Sequence, residues 1–324
     1  MKKLEGIKPF NKFSFRTCYY SQLIAGYAHY GLDERLIIMN YIPLYDKSDF
    51  PNYLTGLTIF TEKELEELSG IRLIKKKSVN DIVGVLIRAI DGGSPVIVAV
   101  DCYYLPYRAD TYKKLHSSHF LLIYGYDKTK AAFIINDHNY INSIYYSEGE
   151  ISFEDLKTAC KEYIVGQKMD RGASFIKIKR TVKKEYVFSP EQYARAYMKN
   201  FVKAEESINN LLCYCEHIIS LLSDKGKLDS EINEVVFNLI YIRMKKQIHK
   251  YQMAELFNDE RINDMNYRSM DNFVFIYGLL LKIQMTNVFN EKIVEKLNAR
   301  LRETIEIERN LNDIWRGKYH EILR

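Results

Sequence analysis

Three residues in this chain have the types and the order needed for nucleophilic catalysis: Cys18, His119 and Asp137. A cysteine attacks only as its thiolate, and the unpaired N–H groups at the start of a helix favour that charged form. A histidine nearby takes up the proton and later returns it, while a carboxylate on the far ring nitrogen fixes its tautomer and orientation. Cys18 opens the first helical stretch, directly after Thr17. His119 and Asp137 are 18 residues apart on two apolar runs, and a hairpin returns the end of the second run alongside the start of the first. Taken singly, each has a commoner explanation. A free cysteine is usually a small buried hydrophobe, and a histidine at a strand end usually satisfies one core hydrogen bond. As a set in this order they favour catalysis. His116 is a second candidate base, but on a loop entering a strand it is expected to face solvent or substrate. His138, directly after Asp137, is expected on the opposite face of an extended chain. Cys102, Cys160, Cys213 and Cys215 read as structural. Cys213 and Cys215 lack the spacing of a zinc pair and no second pair completes a set, so no metal is expected.

The elements that must position these residues are legible in outline. TCYYSQLIAGYAHY, residues 17–30, has helical spacing of apolar residues, with Thr17 as cap and Gly31 as stop. Ala25, Gly26 and Ala28 leave one side thin, so another element can pack close. Residues 35–45 read as a strand. Thr61 to Glu64 form a capping box for a helix ending at Gly70, a short strand follows over 71–75, and a helix over 78–91. Residues 95–101, PVIVAVD, form a continuous β-branched run, expected to be buried on both faces. Runs 118–126 and 131–136 flank a polar turn and predict a hairpin, followed by a helix over 152–161 and a strand over 173–179. Beyond Pro190 the apolar spacing is helical throughout, predicting four or five helices broken near 224–229, 258–267 and 287–290. The expected organisation is therefore α+β: a catalytic domain over 1–185 and a helical domain over 186–324.

Composition excludes several classes. A 324-residue chain with 47% hydrophobic residues buries one large core or two ordinary ones. A net charge of +5 without a dense basic patch argues against nucleic acid. No apolar run reaches the roughly 20 residues of a membrane span, and the N-terminus lacks a signal-peptide core, so no membrane partner is expected. An odd count of 5 cysteines points to free thiols and a cytoplasmic location.

PVIVAVDCYYLPYR (residues 95–108), HSSHFLLIYGYD (116–127) and IIND (134–137) resemble the butirosin biosynthesis protein H family. The likeness covers roughly residues 10–180. It implies a papain-like fold related to the double-glycine leader peptidases, with a central helix packed on an antiparallel sheet. It also implies an acyltransferase that moves an acyl or peptidyl group from a carrier-protein thioester to a small-molecule amine. By residue, it implies Cys18 as nucleophile, His119 as base and acid, and Asp137 as the orienting carboxylate. No cofactor is implied beyond the phosphopantetheine arm of an acyl or peptidyl carrier protein. A more distant likeness is to the closthioamide amide synthases, which join a thiotemplated acyl chain to a diamine. Where papain-like peptidases carry an oxyanion-hole Gln about six residues before the Cys, this chain has Lys12. Asn11 or Gln22, alongside the Cys18 backbone N–H, are the candidates for that donor. Tyr103, Tyr104, Tyr107 and Arg108 read either as surface packing or as a substrate wall. In the second case Arg108 would hold a carboxylate or a phosphopantetheine phosphate. The helical part would shape the acceptor pocket or the carrier-docking face. A papain-like hydrolase, peptidase or thioesterase, is the alternative activity.

Overall fold

The computed structural model describes residues 1–45, 56–140, 143, 145–166 and 173–324. Its elements in chain order begin with β1 (Lys2–Lys3), α1 (Cys18–Ala28), α2 (Arg35–Ile38), β2 (Tyr41–Pro43), β3 (Gly56–Thr58) and α3 (Glu62–Ser69). Next come β4 (Ile71–Lys76), α4 (Ile82–Asp91), β5 (Val96–Asp101), a 3-10 turn (Cys102–Tyr104), β6 (Ser118–Asp127) and β7 (Ala132–Asp137). They are followed by β8 (Ser147–Ser152), α5 (Phe153–Gly166) and β9 (Phe175–Arg180). Five helices close the chain: α6 (Pro190–Lys199), α7 (Phe201–Leu221), α8 (Lys225–Phe257), α9 (Glu260–Thr286) and α10 (Glu291–Ile322). The architecture is α+β. Met1–Ile37 with Phe60–Phe188 form one compact unit, and Ile38–Ile59 with Ser189–Arg324 form the other.

The first unit is built on an antiparallel sheet in the order β4-β9-β5-β6-β7-β8, with β1 added to β6. The apolar run predicted as doubly buried is β5, near the sheet's middle and buried at every position. Helix α1 lies against β5 and β6. Its thin side is used as expected: a Cβ on Gly26 would come within 2.2 Å of Ile178 Cδ1 in β9. Just beyond the helix, Gly31 takes the left-handed conformation at φ +76° that turns the chain away. There Gly31 N–H donates to Ala28 O and Leu32 N–H to Tyr27 O, the paired bonds of a Schellman stop. At its other end Thr17 is extended and makes no side-chain cap, contrary to the reading of its hydroxyl. The capping box of Thr61 and Glu64 and the left-handed Gly70 both form.

Residues 35–45 depart from the expected strand. A turn of helix comes first, supported by the Asp33 carboxylate accepting from Arg35 N–H at 2.8 Å, and only Tyr41–Pro43 is extended. A short apolar run is equally compatible with a buried helix turn, so periodicity could not separate the two.

In the second unit β2 and β3 form a two-stranded ribbon, and β2 packs on α8. Gln252 of α8 donates to the carbonyls of Ile38, at 2.9 Å, and Tyr41. Helix α8 packs on α9, α9 on α10 and α10 on α7. Lys246 and Glu308 meet inside this bundle at 2.7 Å with neither side chain exposed. Ser189 caps α6 and Pro190 follows at its first turn. Among the described residues no helix is long and apolar enough to cross a membrane.

Candidate active site

Cys18 is the first residue of α1. Its own N–H and that of Tyr19 precede the first intrahelical bond, which Tyr20 N–H makes to Thr17 O at 3.0 Å. These leading N–H groups place partial positive charge at the thiol. Helix α1 crosses β6, which brings the Cys18 thiol close enough to His119 of that strand for the two groups to act on each other's charge. His119 Nε2 meets Asp137 Oδ1 at 2.6 Å, leaving Nδ1 for the thiol. His119 and Asp137 are 4% and 3% exposed, so solvent screens this row little.

An irregularity in the sheet puts Asp137 where His119 can reach it. From the hairpin turn, Asp127 pairs with Ala132 and Gly125 with Ile134. The register then slips at Tyr124, so that Ile123 pairs with Ile135 and Leu122 with Asn136. Carried one step on, Asp137 stands across from Leu121, diagonal to His119 and on the same face. Without the bulge it would stand across from Leu122, on the other face. A one-residue shift of register exchanges the two faces of a strand.

The electrostatics of the row are those of an ion pair. Burial alone would push the Cys18 thiol up, but the His119 charge and hydrogen bond, helped by the Phe120 N–H, bring it below its ordinary value. Burial works against the His119 imidazolium, yet the charges of Asp137 and Cys18 raise it to about 10. Burial likewise opposes the Asp137 carboxylate, and the His119 charge with hydrogen bonds from His119 and Tyr107 holds it down. The combination favours thiolate beside imidazolium.

The other sequence-read residues divide. Tyr107 is not a free wall: its hydroxyl donates to Asp137 Oδ2 at 2.6 Å, so both carboxylate oxygens are engaged. Tyr103 stacks on His116 with ring centroids 4.1 Å apart, and Tyr104 meets the same ring edge-on. His116 pairs with Asp101 at 2.6 Å. Arg108 is buried completely. Asn11 spends its amide on the main chain of Tyr146, donating to its O at 3.0 Å and accepting from its N–H at 2.7 Å. Gln22 donates to the carbonyls of Phe120 and Asn136 and accepts from the Asn136 amide. Both candidate oxyanion donors are thus committed to holding strands and loop in place, which leaves the helix-start N–H groups of Cys18 and Tyr19.

His138 corrects an expectation. The strand ends at Asp137, the chain turns, and the His138 ring comes within 4.8 Å of His119 rather than facing away. Burial, then the positive charges of His119 and Arg108, depress it to about 4 and keep it neutral. One ligand atom from each of His119, Asp137 and His138 lies within 4.8 Å of the others, but His119 and Asp137 are spent on each other and a metal would have to part them. Tyr146, which carried no signal in the sequence, lies within electrostatic reach of Cys18, its hydroxyl pushed up by burial and by that charge.

No curated protein matches the chain. Residues 30–138, which include His119 and Asp137 and begin after Cys18, match the family described as Butirosin biosynthesis protein H, N-terminal. Over that segment the chain is similar to the butirosin biosynthesis protein H N-terminal family, as the sequence resemblance implied.

Proposed function

We propose that the protein is a cysteine-dependent acyltransferase of natural-product biosynthesis, moving an acyl or peptidyl group from a carrier-protein thioester through acyl-Cys18 to an amine. The family is one of antibiotic biosynthesis. The observation that carries the reading is the His119–Asp137 hydrogen bond beside a helix-start Cys18, with charges that favour thiolate next to imidazolium. The Cys18 thiolate adds to the thioester carbonyl, and the N–H groups of Cys18 and Tyr19 are the donors at hand for the oxyanion. Collapse expels the carrier thiolate, which takes the proton from His119. Acyl-Cys18 carries no charge, so His119 loses one of the two charges that raised it and is left as a neutral base. It accepts the proton of the attacking amine, and the second collapse releases the amide and restores the ion pair. Exchange of one thioester for another is near-balanced and amide formation is downhill, so no nucleotide is required.

Hydrolysis differs from this only in whether water reaches acyl-Cys18 productively. The test is intact-mass measurement after adding an acyl N-acetylcysteamine thioester. The expected adduct on Cys18 persists alone and is discharged as an amide by an amine. Rapid discharge by water, with no amide at millimolar amine, would move the reading to a thioesterase or peptidase.

A further inference from the structure

Arg108 has no exposed surface, and among the described residues none of its three guanidinium nitrogens has a hydrogen-bond partner. The nearest carboxylate oxygen, of Asp110, is 3.9 Å from Nε, beyond hydrogen-bonding distance. A guanidinium offers five N–H donors in a planar fork, and burying them unspent is unfavourable unless something else takes them up. The backbone that carries it is not loose. Arg108 N–H donates to Leu105 O at 3.1 Å, and Arg108 O accepts from Thr111 and Tyr112. The Asp110 carboxylate offsets the Arg108 charge from 3.9 Å without taking up an N–H, and the groups of the catalytic row are committed to one another. Tyr107 is spent on Asp137, Asp137 on Tyr107 and His119, and His138 is neutral. The Arg108 charge nevertheless reaches the site, acting on Tyr107, His138 and Tyr146, and Tyr146 also feels Cys18.

We propose that Arg108 receives an oxyanion of the substrate, either a carboxylate on the acyl group or the phosphate of the donor's pantetheine arm. Each presents two oxygens spaced to accept the bidentate fork. The proposal rests on the acyl-transfer reading of the same site and adds that the donor is anionic there. An uncharged acyl donor would leave the guanidinium N–H groups as they stand, without hydrogen-bond partners among the described residues, and would react more slowly.

Two matched pairs of thioesters separate the sources. Pentanoyl and glutaryl N-acetylcysteamine differ only in a terminal carboxylate. Pentanoyl pantetheine and pentanoyl phosphopantetheine differ only in the phosphate. The rate of Cys18 acylation, read by intact mass, is expected to be at least about tenfold higher for the charged member of one pair, the loss of a bidentate ionic contact being of that order. Arg108→Gln is expected to bring that ratio to about 1, and Arg108→Lys to lower it, since a point charge lacks the fork. Equal rates within both pairs in the unaltered protein would overturn the proposal and leave acyl transfer standing. If no thioester acylates Cys18, acyl transfer itself fails, and the arginine is judged by unfolding temperature. Glutarate or inorganic phosphate should then raise the temperature for the unaltered protein and not for Arg108→Gln, and no rise with either anion would overturn it.

Discussion

At the scale of single residues, the polarity of the Cys18–His119–Asp137 row makes the sharpest predictions. Iodoacetamide reacts with thiolate, so Cys18 should be labelled ahead of exposed Cys213 at neutral pH. Cys102 and Cys160, pushed up to about 12 by burial, should stay unlabelled. The sign follows from the direction of the shift. The Cys18 labelling rate should rise with pH through a midpoint below the ordinary thiol value of about 8.5 and hold level until the imidazolium is lost near 10. A midpoint at or above the ordinary thiol value would contradict the ion pair. Tyr107→Phe removes the donor on Asp137 Oδ2 and leaves a buried carboxylate oxygen without a partner. Hydrogen bonds to charged groups contribute about 1.5–3 kcal/mol, so Cys18 acylation should fall by roughly tenfold or more, with the labelling midpoint shifted upward. Unchanged labelling and acylation would show that Tyr107 is not part of the row.

At the scale of elements, the placement of Cys18 depends on how closely α1 lies on the sheet. Gly26→Ala puts a methyl within 2.2 Å of Ile178 Cδ1, so that fully buried side chain or the helix must shift. Overpacking of this kind costs about 1–3 kcal/mol. Urea unfolding should register that loss, and acylation should drop with it to the extent that the helix carrying the thiol lifts. A variant as stable as the parent would mean that α1 and β9 are less tightly apposed. In the helical unit, Lys246→Met leaves Glu308 buried with Ser269 as its one polar partner among the described residues. Breaking one side of a buried ion pair costs about 3–5 kcal/mol. The double change Lys246→Met with Glu308→Leu should recover most of it, and failure to recover would assign the loss to packing rather than charge.

At the scale of the whole molecule, the chain passes between its two units at residues 37–38, 59–60 and 188–189. The excursion carries Ile38, Met39, Tyr41 and Ile42, all buried and clustered with the helical residues. A fragment ending at residue 188 would present that surface to water, so it is expected to aggregate or melt without cooperativity; a soluble fragment with a sharp transition would count against this. The sequence by itself determined a good deal. The apolar run of β5, the capping box, the glycine stops and the helical spacing beyond Pro190 are local signals, decided by neighbours a few residues away. The types and order of Cys18, His119 and Asp137 were legible for the same reason. Tertiary structure alone decided the rest. Asn11 and Gln22 were candidate oxyanion donors as amides close in sequence to Cys18, and only folding shows them bound to Tyr146, Phe120 and Asn136. Whether Asp137 faces His119 turns on one unpaired residue, Tyr124. A strand pattern repeats every second residue, so it records that a side chain has a face but not which face a slip in a distant pairing will give it.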